Sequence, residues 1–290
     1  MAPDILCIGS VLWDVIGRSE RPMKAGFDVP GRITRLPGGV AMNVAMTLRR
    51  IGLAPALLTA IGRDPEGDEL IDRASSLGLV TDHIHRIDGP TDRYMAVEGS
   101  NGLIAAIADA HTLETAGDAI LKPLSDGRLG SAAKPWAGPV AIDGNLTDDL
   151  LAEIAASPLF ARAALCVVPA SPGKVRRLLP FLKASRATLY VNLIEANLIA
   201  DQPSQTTQAA AQILLGLGAS RVVVTDGANP ATDASADHDH TLAPPPVRVT
   251  RVTGAGDTFM AAHIAALTQG AGPRDALEAA VQAAATHIST

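Results

Sequence analysis

Short apolar runs alternate along this chain with stretches of helical periodicity, and this alternation is the feature that most constrains the fold. The runs are continuous, as in strands of a parallel sheet that is buried on both faces. They lie at residues 5–8, 55–61, 140–142, 164–168, 188–191 and 221–225. Helix-period patterns at residues 43–51, 66–77 and 209–217 complete repeated strand and helix units. The sequence therefore predicts an α/β fold with a doubly wound, mostly parallel sheet flanked by helices.

A length of 290 residues allows one large α/β domain or two small ones, and we expect one main domain over residues 1–290. The chain is 47% hydrophobic but only 3% aromatic, which suits helices packed on a buried sheet better than a β-sandwich. The formal net charge of −6 is opposite in sign to the basic surface that binds nucleic acid. We therefore expect a small-molecule partner and no nucleic acid.

The cysteines and the N-terminal segment bear on the compartment. Cys7 and Cys166 both lie inside apolar runs, where a thiol behaves as a small core hydrophobe, so no disulfide framework is expected. The first residues carry no basic stretch before the apolar run, and no apolar segment reaches the roughly 18 residues that a membrane span requires. These features predict a cytoplasmic protein with no membrane partner.

Two segments interrupt the alternation, at residues 15–37 and 92–108. In the second, residues 99–102 read Gly-Ser-Asn-Gly between two β-prone runs, as a hairpin turn does. We interpret both segments as strands of a small β lid.

A third irregular stretch spans residues 226–246, is rich in Pro, Ala, Asp and His, and shows no period. This composition predicts a surface loop. Within it, Asp and His alternate from Asp237 to His240, a set that could bind a metal, although a solvated loop is the simpler interpretation.

The strongest chemical signal is Thr-Gly-Ala-Gly-Asp at residues 253–257, which opens a helical pattern. Glycines at a helix start let backbone N–H groups approach an anion, and the helix N-terminus adds about half a positive charge. A carboxylate at Asp257 would repel a bound phosphate, so its position there requires a function. Acting as the general base beside a transferring phosphoryl group is such a function. The alternative is a glycine-rich turn with Asp257 as a helix-cap residue.

Two further patterns lie near the N-terminus. Gly38 and Gly39 precede a helix in which Asn43 offers both a donor and an acceptor, so a ligand could approach the backbone there. Asp14 follows the first strand, at the carboxyl end where open α/β sheets bind ligands, and a carboxylate there can accept two hydrogen bonds from a vicinal diol. A turn or cap residue is the alternative for Asp14.

Together these ordered motifs resemble the ribokinase or pfkB-type carbohydrate kinase family over almost the whole chain. The glycine pair with Asn43, followed by Gly-Arg-Asp-Pro-Glu-Gly at 62–67, is similar to the N-terminal signature of that family. The segment 253–257 is similar to its C-terminal signature. The resemblance implies an ATP-dependent kinase in which Asp257 is the base and the N–H groups of Gly254, Ala255 and Gly256 form an anion hole. The residues implied to hold the sugar are Asp14, Gly38, Gly39 and Asn43.

The resemblance also implies the cofactor sites. Thr225 and Gly227 are similar to a nucleotide-contacting segment of the family, which would act with Thr253, Gly254 and Gly256. The run from Asn192 to Glu195 is similar to a motif that helps hold Mg²⁺ and phosphate, although from the residues alone it is a helix start. The implied cofactors are ATP and Mg²⁺, with a monovalent cation such as K⁺ left open, and a homodimer is expected.

Three stretches are similar to the pseudouridine kinases of that family. They are the hairpin containing Tyr94 and residues 102–109, the run Asp-Gly-Asn-Leu at 143–146, and Val252 before the 253–257 motif. We therefore add Tyr94 and Asn145 to the expected substrate-binding residues and expect phosphorylation of the 5′ hydroxyl of pseudouridine. Ribokinase or another nucleoside or sugar kinase is the first alternative, and a non-catalytic sugar-binding regulator is a distant one.

Overall fold

The computed structural model describes residues 2–24, 26–184, 186–250 and 253–289. Its strands are β1 (Ile5–Ile8), β2 (Leu12–Arg18), β3 (Arg32–Gly38), β4 (Pro55–Leu58), β5 (Ala60–Gly62), β6 (His85–Ile87), β7 (Arg93–Gly99), β8 (Gly102–Asp109), β9 (Pro139–Asp143), β10 (Ala164–Val168), β11 (Ala187–Asn192), β12 (Arg221–Asp226), β13 (Asn229–Ser235) and β14 (Asp239–Leu242). Its α-helices are α1 (Val40–Arg50), α2 (Pro65–Ser76), α3 (His111–Ala116), α4 (Asp148–Ala156), α5 (Leu179–Ala184), α6 (Leu193–Ala200), α7 (Thr207–Gly216), α8 (Ala255–Thr268) and α9 (Pro273–Ser289). Short 3₁₀ helices span Gly117–Leu124, Pro158–Phe160 and Pro172–Leu178.

An eight-stranded sheet forms the centre, in the order β14-β13-β12-β11-β10-β9-β1-β4. Its strands are parallel from β12 to β4, and β13 and β14 are antiparallel additions at one edge. In β1, Leu6 and Ile8 pack into one core cluster, whereas Ile5 and Cys7 pack into the cluster on the opposite face. Both faces are therefore buried under helices, which explains the continuous apolar runs. The predicted α/β fold class is confirmed.

The apolar run at residues 55–61 forms two strands rather than the single predicted one. It pairs with β1 as β4, and after Thr59 it continues as β5, which pairs with β6 in a separate two-stranded sheet. The backbone of Thr59 accepts a hydrogen bond from His85 at this switch. A change of partner within one apolar run leaves no mark in the hydrophobic pattern.

A second, four-stranded sheet stands apart from the central one, in the order β3-β2-β7-β8. It contains most of the two segments that interrupt the alternation. Asp14 on β2 lies opposite Leu36 on β3 and Tyr94 on β7, so these three residues share one face. This sheet is called the outer sheet below.

Two carboxylates, the buried Asp92 and the partly buried Asp64, attach the outer sheet to the main body. Asp92, 5% exposed, accepts hydrogen bonds from the backbone N–H groups of Thr112 and Leu113, and so joins the start of β7 to the helix that follows β8. Asp64 caps α2 and also accepts hydrogen bonds from the backbone and hydroxyl of Thr91. Each attachment satisfies backbone donors that a helix start or chain crossing leaves unpaired.

The predicted surface loop at residues 226–246 is wrong, because this stretch contains β13 and β14. Ala231, Thr232, Asp233 and Ala234 are all buried. The prediction failed because polar residues in the middle of a strand indicate a loop unless their partners are known. Here the Thr232 hydroxyl lies 2.8 Å from those of Thr207 and Thr241, and Asp233 is paired with Arg221.

The remaining general expectations concern the thiols and the membrane. Cys7 and Cys166 are both free and buried, as predicted. Across the described ranges, none of the helices combines the length and the apolar character needed to cross a bilayer.

Candidate active site

The N-terminus of α8 carries the 253–257 motif. Gly254 is the N-cap residue with φ of 80°, a left-handed conformation that favours glycine. The first intrahelical bond is donated by Thr258 to the Gly254 carbonyl, so the N–H groups before Thr258 have no acceptor within the helix. Together with the helix dipole, they make this end of α8 a candidate anion site.

Asp257 lies in the first turn of α8 and contacts the other glycine motif. The side-chain amide Nδ2 of Asn43, in the first turn of α1, donates a hydrogen bond of 2.9 Å to Asp257 Oδ2. Burial raises the pKa of Asp257 to about 7, and the negative charges of Asp143 and Asp14 add to the rise while the Asn43 bond opposes it. The two motifs, distant in sequence, thus meet at a carboxyl group able to exchange a proton near neutral pH.

The glycine pair before α1 provides close backbone approach. A Cβ at Gly39, which has φ of 93°, would collide with the Ser10 carbonyl, and one at Gly38 would collide with the carboxylate of Asp14. Asp14 has no hydrogen-bond donor among the described residues, and burial raises its pKa to about 6. The carboxylate of Asp14 therefore lies against the glycine pair without a partner of its own.

Asp143, at the end of β9, is the hub of this region and is 1% exposed. Its Oδ2 accepts hydrogen bonds from the backbone and hydroxyl of Ser10 (2.8 and 2.9 Å) and from the Ala41 N–H (3.1 Å). Its Oδ1 accepts from the Asn145 N–H at 2.7 Å. Burial raises the pKa of Asp143 above its ordinary value, and these hydrogen bonds offset only part of the rise. Asp143 thereby joins the ends of β1 and β9 to the start of α1.

The side chain of Asn145 is held between two residues that sequence reasoning did not select. Asn145 Nδ2 donates to the Ser10 hydroxyl at 2.9 Å, and Asn145 Oδ1 accepts from Lys174 Nζ at 2.7 Å. Burial lowers the pKa of half-buried Lys174. For Ser10, the sequence did carry a clue, because Ser10 directly follows Gly9 at the end of β1. Lys174, in a 3₁₀ helix, had none.

Tyr94 lies across from Asp14 on the outer sheet, on the face that Asp14 shares. Burial raises the pKa of the half-buried Tyr94 phenol, and the charges of Asp14 and Glu98 contribute. The structure therefore brings Tyr94 near Asp14, on the outer sheet rather than on the central one.

A largely apolar cavity of about 500 Å³ lies on the other side of α8. Thr225 and Gly227, from the turn after β12, line it together with Ala255, Gly256 and Phe259 of α8. Its volume lies in the usual range of small-molecule pockets. The structure therefore unites Thr225 and Gly227 with the α8 N-terminus, while Thr253 is exposed and its carbonyl accepts a bond from His287 Nε2.

Asn192 and Glu195 form a capping box at the start of α6. Asn192 Oδ1 accepts from the Glu195 N–H, and Glu195 Oε2 accepts from the Asn192 N–H, both at 2.9 Å. This is the helix start that the residues alone indicate. Glu195 Oε1 has no hydrogen-bond partner among the described residues, and Asn192 lies beside Thr225 at the ends of their strands.

Metal coordination by the protein alone is limited. Among the described residues, no group of three or more His, Cys, Asp and Glu side chains could hold a metal ion. In the Asp237 to His240 run, His238 stacks on His240 and lies 3.2 Å from Asp233. Val252 and its comparison with pseudouridine kinases lie outside the described residues.

The chain belongs to the pfkB family of carbohydrate kinases, whose family model matches residues 2–290. It is therefore an ATP-dependent sugar or nucleoside kinase, of a family that commonly uses Mg²⁺ with ATP. The predicted family and enzyme class are confirmed.

Individual relatives are distant. The chain is 27% identical to the pseudouridine kinase of Escherichia coli over 264 residues, which cover 89% of this chain and 81% of that enzyme. It is 24% identical to the ribokinase of Bacillus subtilis over 289 residues, covering 98% and 92%. Among solved structures, Arabidopsis thaliana ribokinase complexed with ribose and ATP matches with a TM-score of 0.79 at 19% identity, covering 100% and 94%. The last comparison shows a shared ribokinase-like fold.

Proposed function

We propose that this chain transfers the γ-phosphoryl group of ATP to the 5′ hydroxyl of a ribose-containing substrate, with pseudouridine preferred. The observation that carries the proposal is the hydrogen bond between Asn43 and Asp257. It joins a glycine-flanked pocket at α1 to the first turn of α8, and it orients a carboxyl group whose pKa burial raises to about 7.

Asp257 acts as the general base in this proposal. It accepts the proton of the substrate hydroxyl as a bond forms between that oxygen and the γ-phosphorus, while the bond from the γ-phosphorus to the bridging oxygen of ADP breaks. The N–H groups of Gly254, Ala255 and Gly256 stabilise the phosphoryl oxygens. Because the transition state is loose, positioning and charge stabilisation supply most of the acceleration.

The nucleotide fits the cavity beside α8. The apolar lining suits an adenine ring, and the α8 N-terminus at one end suits the phosphates. Thr225 and Gly227 line the turn there, with Thr253 and Gly254 at the helix start. Glu195 would hold Mg²⁺ through its remaining oxygen, with Asn192 beside it, since Mg²⁺ commonly uses one or two carboxylates plus phosphate and water. Bound Mg²⁺ would neutralise charge on the transferring phosphate.

The sugar would lie between the outer sheet and the glycine pair. Asp14 offers two acceptor oxygens for a vicinal diol, and Gly38 and Gly39 allow the ligand to approach closely. Asn43 would orient both the ligand and the carboxyl group of Asp257. The outer sheet would then act as a lid, with Tyr94 facing the ligand and water excluded from the reacting phosphate.

Pseudouridine is proposed over free ribose because Asn145 is fixed by Ser10 and Lys174 close to Asp143. A fixed amide and a cation suit the polar edge of a base. Pseudouridine has a ring N–H where uridine has a C–H, so a site that bonds this N–H discriminates roughly tenfold or more through the cost of an unpaired buried acceptor. Ribokinase activity or another nucleoside kinase activity is the alternative, supported by the likeness to ribokinase.

An ATP-consumption screen against pseudouridine, uridine, ribose, adenosine and fructose tests the proposal. We expect kcat/KM to fall from pseudouridine to uridine to ribose. If ribose equals or exceeds pseudouridine, the substrate assignment fails and the kinase assignment survives. If none of the compounds is phosphorylated although the protein binds ATP, the non-catalytic regulator gains support. The same screen with K⁺ replacing Na⁺ tests whether the activity depends on a monovalent cation.

The proposal includes a cytoplasmic location, where ATP is available, and a homodimer formed through the outer sheet. Ile33, Met95 and Ile107 lie on the face of that sheet opposite Asp14 and are 77%, 50% and 66% exposed. An apolar face of this kind favours association. Analytical ultracentrifugation should show a dimer that Met95→Glu converts to a monomer. A monomeric parent protein would contradict it.

A further inference from the structure

The buried carboxylate of Asp233, on β13, lies outside the proposed catalytic groups. Its side chain is fully buried. Arg221 Nε donates to Asp233 Oδ1 at 2.8 Å and Arg221 Nη2 donates to Oδ2 at 2.5 Å. His238 Nε2 lies 3.2 Å from Oδ1. His238, in the segment just before β14, approaches Asp233 without a hydrogen bond. The hydrogen bonds from Arg221 to Asp233 join β12 to β13 at one edge of the sheet.

His263 extends the network to α8. Its Nε2 lies 3.2 Å from Asp233 Oδ2, and its Nδ1 lies 2.8 Å from the Tyr190 hydroxyl. Because Asp233 paired with Arg221 is an acceptor, we assign the proton to Nε2, which donates a hydrogen bond to Asp233, while Nδ1 accepts one from the Tyr190 hydroxyl. His263 is itself fully buried, so each of its ring nitrogens depends on one named partner.

The same network lies behind two of the walls of the 500 Å³ cavity, which α9 and residues 244–249 also line. One wall is the β12–β13 hairpin, which contributes Gly227 and Ala231 and also carries Arg221 and Asp233. The other is α8, on which Phe259 lines the cavity and stacks on His263 one turn further along, with ring centroids 6.4 Å apart. The bond between Asp233 and His263 is thus a direct polar link between the two walls.

We propose that Asp233 and His263 are positioning residues for nucleotide binding, which hold the β12–β13 hairpin and the first turns of α8 at a fixed separation. This inference rests on the proposed function, because it takes the cavity as the ATP site. His263 acts through Phe259 and the α8 backbone, and it does not touch the nucleotide.

A purely stabilising role explains the network less well. Taking a charge and its partners out of water costs so much that well-packed apolar residues are often as stable or more stable. Directed hydrogen bonds add geometric precision, because they fix the rotation of a helix more tightly than apolar packing does. The network joins the β12–β13 hairpin to α8, and the separation of these two walls determines the shape of the cavity.

His263→Leu tests the proposal, since leucine is similar in size and removes both hydrogen bonds. Isothermal titration with MgATP should show affinity reduced roughly 5- to 30-fold, because only a fraction of the variant molecules would keep the binding-competent separation of the hairpin and α8. The KM for the nucleoside should change less than about twofold, because Asp14 and Asn43 lie on other elements. His263→Gln, which keeps a donor and an acceptor, should recover most of the MgATP affinity.

Thr232→Val is the matched control. Thr232 precedes Asp233 on β13, is also fully buried, and bonds Thr207 and Thr241 on the opposite face of the strand. We expect it to lower Tm by a few degrees, as His263→Leu does, while MgATP affinity stays within about twofold of the parent.

The outcomes separate the two proposals. A parent protein that does not bind MgATP overturns the proposed function, and this inference with it. Normal binding by the parent together with unchanged binding by folded His263→Leu overturns only the positioning role. Equal losses of MgATP and nucleoside affinity, or no recovery in His263→Gln, also overturn it. If His263→Leu does not fold, His263→Asn, whose shorter side chain replaces the imidazole, takes its place in the comparison with Thr232→Val, and equal MgATP affinities of these two variants then overturn the proposal.

Discussion

Two carboxylates, the partly buried Asp257 and the fully buried Asp233, lie in opposite electrostatic surroundings. Burial raises the pKa of Asp257 to about 7, and the charges of Asp143 and Asp14 add to the rise. The opposing hydrogen bond comes from a neutral donor, Asn43. For Asp233, burial also raises the pKa, but the hydrogen bonds from Arg221 and His263 lower it by more, to well below the usual range. A carboxylate with a cation partner is fixed in its charged form. One without a cation partner remains able to take up a proton, which a general base requires.

Among the changes that test this difference between the two carboxylates, Asp257→Asn has the largest expected effect, and it acts on turnover. We expect kcat to fall by roughly 10²- to 10⁴-fold, because the amide cannot accept the hydroxyl proton, with little change in ATP affinity. Steady-state kinetics and calorimetric titration with ATP provide the measurements. Near-normal turnover in the folded variant would return Asp257 to the role of a helix-cap residue.

The same substitution at the two sites should change stability in opposite directions. The folded-state pKa of Asp257 is raised from 3.8 to about 7, so the stability that its protonation provides is complete below pH 3.8 and is lost as pH rises through 7. Asp257→Asn should therefore be more stable than the parent at pH 8 and equal to it near pH 4.

Asp233 has a lowered folded-state pKa, so its contribution is present above pH 3.8 and is lost as pH falls further. Asp233→Asn should destabilise the protein at pH 8 by about 3 to 5 kcal/mol, because it leaves the Arg221 guanidinium without its partner. Urea unfolding of both variants and the parent at pH 8 and pH 4 measures these changes. Destabilisation of similar size by both substitutions at pH 8 would contradict the distinction.

Asp14→Ala should weaken sugar binding by about 2 to 4 kcal/mol, because a charge-assisted bidentate contact to the diol is lost. Calorimetric titration of the variant and the parent with nucleoside provides the measurement, and ATP affinity serves as the internal control. Unchanged nucleoside affinity would identify Asp14 as a turn residue.

The pH profile gives the smallest effect. If Asp257 must be deprotonated, kcat/KM should fall about tenfold for each pH unit below 7 and level off above it. Asp233 should add no step between pH 5 and 9, since it stays charged throughout that range. An activity plateau that extends unchanged to pH 5 would show that the base is a different group.

The sequence predicted much of the fold because burial on both faces imposes a continuous apolar pattern on strands such as β1 and β10. It failed at β13 and β14, where Asp233 and Thr232 gave the polarity of a loop. The cost of burying such groups depends on their partners. Those partners lie on other elements, including Arg221 on β12 and Thr207 on α7.

For the site, the sequence by itself determined where anions and ligands can approach the backbone. Gly39 and Gly254 adopt positive φ angles that favour glycine, so local sterics left a readable mark. The resemblance of the surrounding motifs to the pfkB family added roles for Asp257, Asp14 and Asn43. Those roles remain predictions, whereas their spatial convergence is a property of the structure.

The tertiary structure decided which polar residues act together. Asp143 as a hub, Lys174 beside Asn145, and His263 behind Phe259 have no local signature, because each depends on a donor or acceptor from a distant element. Two carboxylates of the same residue type also acquired opposite pKa shifts. Sequence fixes the identity of a titratable group, but the energy of its charge depends on burial and on neighbouring charges, which only the folded chain brings together.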